Sequence, residues 1–163
     1  MGKSTSNLRK VINMKIISKN KKAYHDYFIE DTFEAGIVLT GTEIKSIRAS
    51  RVNISDAYVR TTRDNEAFII NMHIAKFKHG NQFNHDETRE RKLLLHKNEI
   101  VKLRSKTTRD SLTIVPTKVY LSRGRAKIEI GLAKGKKKYD KRRDLKEKDI
   151  KRRLQKEHGR HNL

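Results

Sequence analysis

The chain has 163 residues, of which 40 are lysine or arginine and 19 are aspartate or glutamate, so its formal net charge is +21. A chain of this length can bury one core, and a second domain is not expected. No cysteine is present. This excludes a disulfide framework, a cysteine-based zinc knuckle and a thiol nucleophile, and it fits a reducing cytoplasm.

The positive charge is unevenly distributed and divides the chain into three parts. Residues 1–22 contain seven basic residues and no acidic one, which predicts a basic N-terminal arm. Residues 131–163 contain 14 basic residues against five acidic ones, and apolar residues are sparse there. The predicted division is an arm at 1–22, a folded body at 23–133 and a basic tail at 134–163.

The body opens with a segment typical of β-structure. Residues 24–39 are rich in aromatic and β-branched side chains, which predicts one long strand or two coupled ones with a bulge or bend at Gly36. Tyr24 and Phe28 are expected in the core of this body. A helix that Thr42 can cap is predicted to follow the strand.

Two hairpins are predicted further along the body. One joins 55–62 to 66–74 through a polar turn, and the other joins 112–121 to 125–132. Between them, residues 76–92 show no periodicity and predict a loop.

One more helix completes the predicted body. It begins near Leu93 and places Ile100 and Leu103 on its buried face, while Pro116 marks a strand edge or a bulge. The predicted body thus has several short strands and one or two helices, and strands and helices do not alternate. This pattern predicts a mainly β fold with flanking helices, arranged as a small antiparallel barrel.

The tail has a weak helical pattern. Three acid-to-base pairs spaced i, i+4 favour a helix, each by roughly 0.2–0.5 kcal/mol. Ile150 and Leu154 share one face, whereas Leu145 lies well off it. Such a segment is marginal in water, so the tail is expected to be disordered in the free protein and helical when bound.

The charge points to an extended polyanionic partner, with RNA or DNA as the leading candidate. A membrane surface is the alternative, but no apolar stretch approaches a spanning length and the tail lacks a wide apolar face, so no membrane partner is expected. Tyr139 lies at the start of the tail, where its ring can stack on an unpaired base.

The pattern of acids and histidines does not favour an enzyme. Asp31 and Glu34 fall in opposite phases of a regular strand, so their carboxylates are not expected to converge. No nucleophile elbow, phosphate-binding loop or zinc-protease motif occurs, and His158 with His161 lacks a carboxylate or cysteine partner. We expect no metal, no cofactor and no catalytic residues.

Six short segments occur in order along the chain: YFIE at 27–30, FEAG at 33–36, TEIKSIR at 42–48, NISDAY at 53–58, RKLLL at 91–95 and GLAKGKK at 131–137, with DKR at 140–142. Together they resemble the SmpB family of tmRNA-binding proteins, also called SsrA-binding proteins. The resemblance implies an OB-type barrel that binds the tRNA-like domain of tmRNA. It also implies delivery of alanyl-tmRNA, with elongation factor Tu and GTP, to stalled ribosomes. The tail then occupies the decoding site and the vacant mRNA channel of the small subunit, so that the nascent peptide is tagged for degradation and the ribosome is released.

The resemblance also assigns residues, and we add neighbouring basic and exposed positions to them. The expected tmRNA-binding residues are Asn20, Lys21, Lys22, Glu34, Arg48, Leu94, Lys127 and Lys134. The expected tail residues that contact the ribosome are Lys136, Lys137, Lys138, Tyr139, Asp140, Lys141, Arg142, Ile150 and Leu154. Tyr139 stands where the family commonly has histidine. The alternative function is that of a basic ribosomal-type RNA-binding protein without a tmRNA role.

Overall fold

The structure is a computed structural model that describes residues 14–78 and 84–161. Within these residues it contains nine strands and four helices. In chain order they are β1 Met14–Lys19, α1 Lys21–Asp26, β2 Tyr27–Ile37, α2 Gly41–Arg48, β3 Val52–Asn53, β4 Tyr58–Thr61, β5 Ala67–Ile70, β6 His73–Ile74, β7 Arg91–Leu94, α3 Lys97–Arg109, β8 Thr113–Ser122, β9 Arg125–Gly135 and α4 Lys138–His161.

Seven of the strands form one antiparallel sheet, which confirms the predicted mainly β fold with flanking helices. The strand order is β1-β8-β4-β5-β7-β2-β9, and β9 also pairs with β8. The two longest strands, β2 and β9, are paired from Tyr27 opposite Gly135 to Gly36 opposite Lys127. β3 and β6 form a separate two-stranded sheet.

One face of the sheet builds the core. On β9, Ile128, Ile130 and Leu132 are fully buried and alternate with residues that point outwards. Burying a side chain of this size contributes about 1.5–3 kcal/mol. Ile47 of α2 and Leu103 of α3 pack into the same core. The two helices therefore cover the inner face, while Ala23 of α1 forms a small second core with Val115 of β8 and Ala133 of β9.

The N-terminal part of the body differs from the prediction of an arm at 1–22. Residues 14–19 form β1, which pairs with β8 from Met14 opposite Ser122 to Lys19 opposite Lys118. The next residues form α1 rather than the start of a strand at Tyr24. The partner of β1 lies about 100 residues away, so the local run of lysines did not reveal the pairing. Residues 1–13 of the predicted arm lie outside the described residues.

The central elements agree with the predictions in kind but differ in position. Leu93 belongs to β7 instead of a helix, because the helix α3 begins after a capping box at His96. Thr40 rather than Thr42 caps α2. The irregularity in β2 lies between Ile29 and Thr32, not at Gly36. The second predicted hairpin is β8–β9, and its register shifts just after Pro116, as the sequence predicts.

The tail differs from the predicted disorder of the free protein, because the structure has Lys138–His161 as one continuous helix. Strand β9 also continues to Gly135, beyond the predicted boundary at residue 134. Contacts between the first turns of α4 and α1, described below, account for a helix that i, i+4 pairs alone would leave marginal. None of the described helices is both long and apolar enough to cross a membrane.

Candidate nucleic-acid interface

Three of the predicted RNA-binding residues surround one groove. Glu34 of β2, Leu94 of β7 and Lys127 of β9 line a depression of about 490 Å³ on the outer face of the sheet. The strands bring them together because Gly36 pairs with both Leu94 and Lys127. A Cβ on Gly36 would lie 3.2 Å from the Leu94 Cβ, so glycine at this position lets the leucine lie across the strand.

The groove combines an apolar surface with side chains of opposite charge. The side chain of Leu94 is 55% exposed although it lies in the middle of the sheet. An exposed leucine that shares a groove with a carboxylate and an ammonium group is suited to a ligand with an apolar face and polar edges. A ribonucleotide has this character, because its base is flat and its sugar and phosphate are polar.

Tyr120 fixes the carboxylate of Glu34. Its hydroxyl donates to Glu34 Oε2, and residue 120 lies opposite Lys127 in the β8–β9 ladder. Burial raises the pKa of Tyr120 well above its ordinary value, and the hydrogen bond to Glu34 raises it further. The phenol therefore stays protonated and holds Glu34 as an oriented acceptor. Tyr120 carries no local sequence signal of this contact, because only the register of the sheet places it beside Glu34.

A buried ion pair supports β7 beneath the groove. Arg91 and Glu43 are both fully buried and form a salt bridge between β7 and α2. Arg89 binds the other carboxylate oxygen of Glu43 at 2.6 Å. Burial opposes the ionisation of Glu43, but the Thr40 amide and the two guanidinium groups outweigh it and lower its pKa to about 2. Glu43 therefore remains charged at neutral pH.

Asn20 does not line the groove, and its side chain is buried. It is buried, its amide donates to the carbonyl oxygens of Ile54 and Pro116 at 3.1 and 2.8 Å, and its Oδ1 accepts from the Ala23 amide at 3.0 Å. In this conformation its side chain is occupied within the fold. Asn20 thus caps and positions α1, and a direct contact of its amide with RNA stays a prediction.

The other predicted RNA-binding residues are exposed but do not line the groove. Lys21 and Lys22 lie on α1, and Lys22 pairs with Asp56 at 2.6 Å. Arg48 ends α2 and donates to the Gly124 carbonyl oxygen at 3.4 Å. Lys134 lies near the end of β9, opposite Phe28.

The start of the tail is tied to α1. Lys136, whose side chain is only 8% exposed, donates to the Tyr24 carbonyl oxygen at 3.0 Å and forms a salt bridge with Asp144. Its ammonium group also lies 4.9 Å from the centre of the Phe28 ring. Lys136 was predicted to contact the ribosome, but in this structure its charge is used inside the protein.

A second ion pair holds the next turn of α4. Lys141 lies 3.3 Å from Asp26 at the end of α1, and Asp140 accepts a hydrogen bond from the Lys137 amide at 3.3 Å. A carboxylate in the first turn of a helix stabilises its unpaired amides. The predicted tail residues Lys137, Lys138, Tyr139, Arg142, Ile150 and Leu154 are all exposed.

Tyr24 and Phe28 correct the prediction that they lie in the core. Their side chains are 49% and 46% exposed. Tyr24 is on α1, and the Phe28 side chain belongs to an outward position of β2. The sequence signal for this was weak, because aromatic residues in a segment with β-character are most often buried.

The groove lined by Glu34, Leu94 and Lys127 lies apart from the base of the tail, whereas the predicted tmRNA-binding residues of α1 and Lys134 are at the tail end. The groove is at the Gly36–Lys127 end of the β2–β9 ladder, and the base of the tail is at the Tyr27–Gly135 end. At about 3.3 Å per residue the two ends are about 30 Å apart along the strands. The described residues contain no group of three or more acidic or histidine side chains that could hold a metal ion.

Comparison with models of protein families shows to which family the chain belongs. The model of the SmpB protein family matches residues 17–160, which include both the groove and most of α4. The chain belongs to the SmpB family.

Relatives in the family match over most of their length. An SsrA-binding protein of Oceanobacillus iheyensis is 61% identical over 140 residues, which are 86% of this chain and 90% of that protein. An SsrA-binding protein of Bacillus cereus strain AH820 is 58% identical over the same shares. One from Desulfitobacterium hafniense strain DCB-2 is 54% identical over 142 residues, or 87% of this chain and 90% of the relative.

A solved structure shares the SmpB fold. It is described as "tmRNA-SmpB: a journey to the center of the bacterial ribosome", and it matches with a TM-score of 0.63 and 46% sequence identity. The match covers 82% of this chain and 93% of the other.

Proposed function

We propose that this protein is the tmRNA-binding factor of trans-translation. It binds the tRNA-like domain of tmRNA and brings alanyl-tmRNA to stalled ribosomes, whose nascent peptides are then tagged and released. Membership of the SmpB family together with the arrangement of Glu34, Leu94 and Lys127 around one groove carries this proposal. The relatives named as SsrA-binding proteins and the structural match to tmRNA-SmpB on the ribosome support it.

The groove is the proposed contact with the folded RNA. A-form RNA hides its base edges in a deep, narrow major groove, so proteins recognise it through phosphates, 2′-hydroxyl groups and unpaired bases. Lys127 pairs with a phosphate, Leu94 lies against a ribose or base, and Glu34 accepts from a 2′-hydroxyl or an exocyclic amine. The exposed basic residues Lys21, Lys22, Arg48 and Lys134 extend the electrostatic contact.

The tail is the proposed contact with the ribosome. Its basic residues face the RNA of the decoding site and the mRNA channel of the small subunit, and Ile150 with Leu154 packs against apolar or base surface there. In the cell this places the protein in the cytoplasm, where elongation factor Tu with GTP carries the alanyl-tmRNA.

Two finer features belong to the same proposal. The sheet is a barrel of the OB type, supported by strand pairings that run from β8 through β4, β5, β7 and β2 to β9 and back to β8. The protein also acts by binding, without turnover of its own. Labelled tmRNA incubated with it and magnesium should remain intact, and cleavage that persists after repurification would contradict this.

The experiment that tests the function is a binding competition. The protein should retain labelled tmRNA against an excess of arbitrary duplex RNA, and tmRNA should co-purify with it from a lysate at moderate salt. If about six phosphates are neutralised, the logarithm of the affinity should fall against that of the salt concentration with a slope of about −4 to −5. Equal affinity for both RNAs would favour a general ribosomal-type RNA-binding protein instead.

A further inference from the structure

A second groove lies between α1 and the beginning of α4. Tyr24 and Leu145 are among its lining residues, Lys136 and Asp144 close one part of it, and its volume is about 330 Å³. Sites for small organic ligands begin at about 300 Å³, so the space suits a ligand as small as one nucleotide. The groove is at the opposite end of the β2–β9 ladder from the groove lined by Glu34, Leu94 and Lys127, which is called the tmRNA groove after its proposed ligand.

The apolar side chains of this groove are half exposed, although they come from two helices that lie side by side. The side chains of Tyr24 and Leu145 are each 49% exposed, although they lie on two different helices and line the same space. An aromatic ring and an aliphatic side chain that line one groove offer a stacking surface and an apolar wall to a ligand. Aromatic side chains bind unpaired bases in this manner, with little dependence on the identity of the base.

The acidic side chains of α4 that line the groove are neutralised by ion pairs, whereas two of its lysines have no such pair among the described residues. Its two acids on α4 are paired, Asp144 with Lys136 and Glu147 with Arg143 at 3.4 Å. Lys148 and Lys151 also line the groove, and neither forms an ion pair within 4.0 Å in the part of the chain that the structure describes. Positive charge beside a stacking surface is the combination that binds single-stranded nucleic acid.

We propose that the groove between α1 and α4 binds one unpaired nucleotide of RNA. The base lies between Tyr24 and Leu145, and the adjacent phosphates pair with Lys148 and Lys151. This inference rests on the proposed function, because it assigns a specific contact to the end of the protein that meets the ribosome. The salt bridge of Lys136 with Asp144 then acts as a positioning contact that keeps the two walls of the groove together.

The first test uses the full-length protein and a short oligouridylate that carries one 2-aminopurine. Stacking on Tyr24 should quench the fluorescence of the 2-aminopurine on binding. Tyr24→Phe should preserve the quenching, whereas Tyr24→Ala should abolish it and weaken binding at least about fivefold, the lower end of base–aromatic stacking. Tyr58→Ala removes another exposed tyrosine, on β4, and should leave the quenching unchanged.

The phosphate contacts have a matched control on the same helix. Lys148→Ala with Lys151→Ala should weaken oligonucleotide binding more than Lys146→Ala with Arg153→Ala, which removes the same charge from the opposite face of α4. Equal weakening by the two double variants would mean that only the total charge of α4 matters and would overturn the proposal. Unchanged quenching in Tyr24→Ala would overturn it as well.

The second test separates this inference from the proposed function. Tyr24→Ala should keep its affinity for isolated tmRNA and lose tagging on stalled ribosomes. Failure of the unaltered protein to bind tmRNA selectively would instead refute the proposed function. Normal tagging by Tyr24→Ala, with tmRNA binding intact, would refute only the nucleotide site.

Discussion

The body and the tail helix use charged and apolar side chains in opposite ways. In the body the salt bridge between Glu43 and Arg91 is fully buried, while the apolar residues of β9 form the core. In α4, Ile150 and Leu154 are exposed, and the ion pairs lie on the surface or at the contact with α1. The body is therefore stabilised from within, whereas α4 beyond its first turns leaves its charged and apolar side chains exposed.

Removal of α4 should give the largest effect on function and a small one on the binding of isolated tmRNA. A chain that ends after Gly135 keeps every strand of the main sheet and the tmRNA groove. We expect near-native affinity for isolated tmRNA at moderate salt and tagging on stalled ribosomes that falls to background. Gel-shift titration and a tagging assay measure the two quantities.

A milder variant controls for loss of the whole helix. Asp140→Ala with Lys141→Ala and Arg142→Ala should act in the same direction as the truncation. Normal tagging by the truncated protein would mean that α4 is dispensable, and parallel loss of tmRNA binding would mean that it belongs to the body.

Breaking the buried ion pair should produce the largest effect on stability. Glu43→Gln leaves Arg91 as an uncompensated buried charge, and removal of one partner of such a pair costs about 3–5 kcal/mol. Glu147→Gln removes an exposed partner of Arg143 on α4 and should change the free energy of unfolding by at most about 0.5 kcal/mol. Urea unfolding followed by circular dichroism compares the two, and equal losses would contradict the contrast between body and tail.

The same pair predicts how stability depends on pH. The pKa of Glu43 is about 2 in the folded protein and 4.5 ordinarily. A carboxyl whose pKa is lowered by folding stabilises the fold fully above its unfolded value, so this contribution is complete above about pH 4.5. It should be lost as the pH falls from there towards 2. The dependence should be weaker in Glu43→Gln.

Much of the body could be predicted, because several of its strands and turns follow from residue patterns within one short segment. The β8–β9 hairpin follows from alternating apolar residues around a turn whose Arg123 and Gly124 have positive φ. The predicted divergence of Asp31 and Glu34 matches their different partners, Lys106 at 2.7 Å for the first and Tyr120 for the second. Both inferences depend on periodicity within one segment.

The features that the sequence did not predict depend on distant partners. β1 falls in the predicted basic arm, because its lysines can be seen in the local sequence. Its pairing with β8 cannot be seen there, because β8 is distant in the chain. Arg91 lay in a predicted loop, and nothing near it in sequence shows that Glu43 compensates its charge. The resemblance to a family named Glu34, Leu94 and Lys127, but only the register of three strands shows that they line one groove.

Reversal of one charge in the tmRNA groove should affect binding without affecting stability. Lys127 lies on the outer face of β9, so Lys127→Glu should weaken tmRNA binding about tenfold and reduce the salt slope by about 0.9 if it contacts one phosphate. The thermal unfolding curve should remain nearly unchanged. Lys15→Glu makes the same charge change on β1, at a residue that does not line the groove, and should weaken binding less. Equal weakening would mean that only net charge matters.

The smallest predicted effect concerns the junction between the two regions. Lys136 lowers the pKa of Asp144, so at neutral pH the carboxylate is charged and the salt bridge is intact. Asp144→Asn removes this charge and should increase amide hydrogen exchange by a few-fold in the first turns of α4. The amides beyond Ile150 should exchange rapidly in both proteins, because the described contacts with α1 involve only Lys136, Lys141 and their partners. Slow exchange along the whole of α4 would show that the free helix is as stable as the body. Rapid exchange from Lys138 onward in the unaltered protein would show that these contacts do not order the helix, and that its folding depends entirely on the partner.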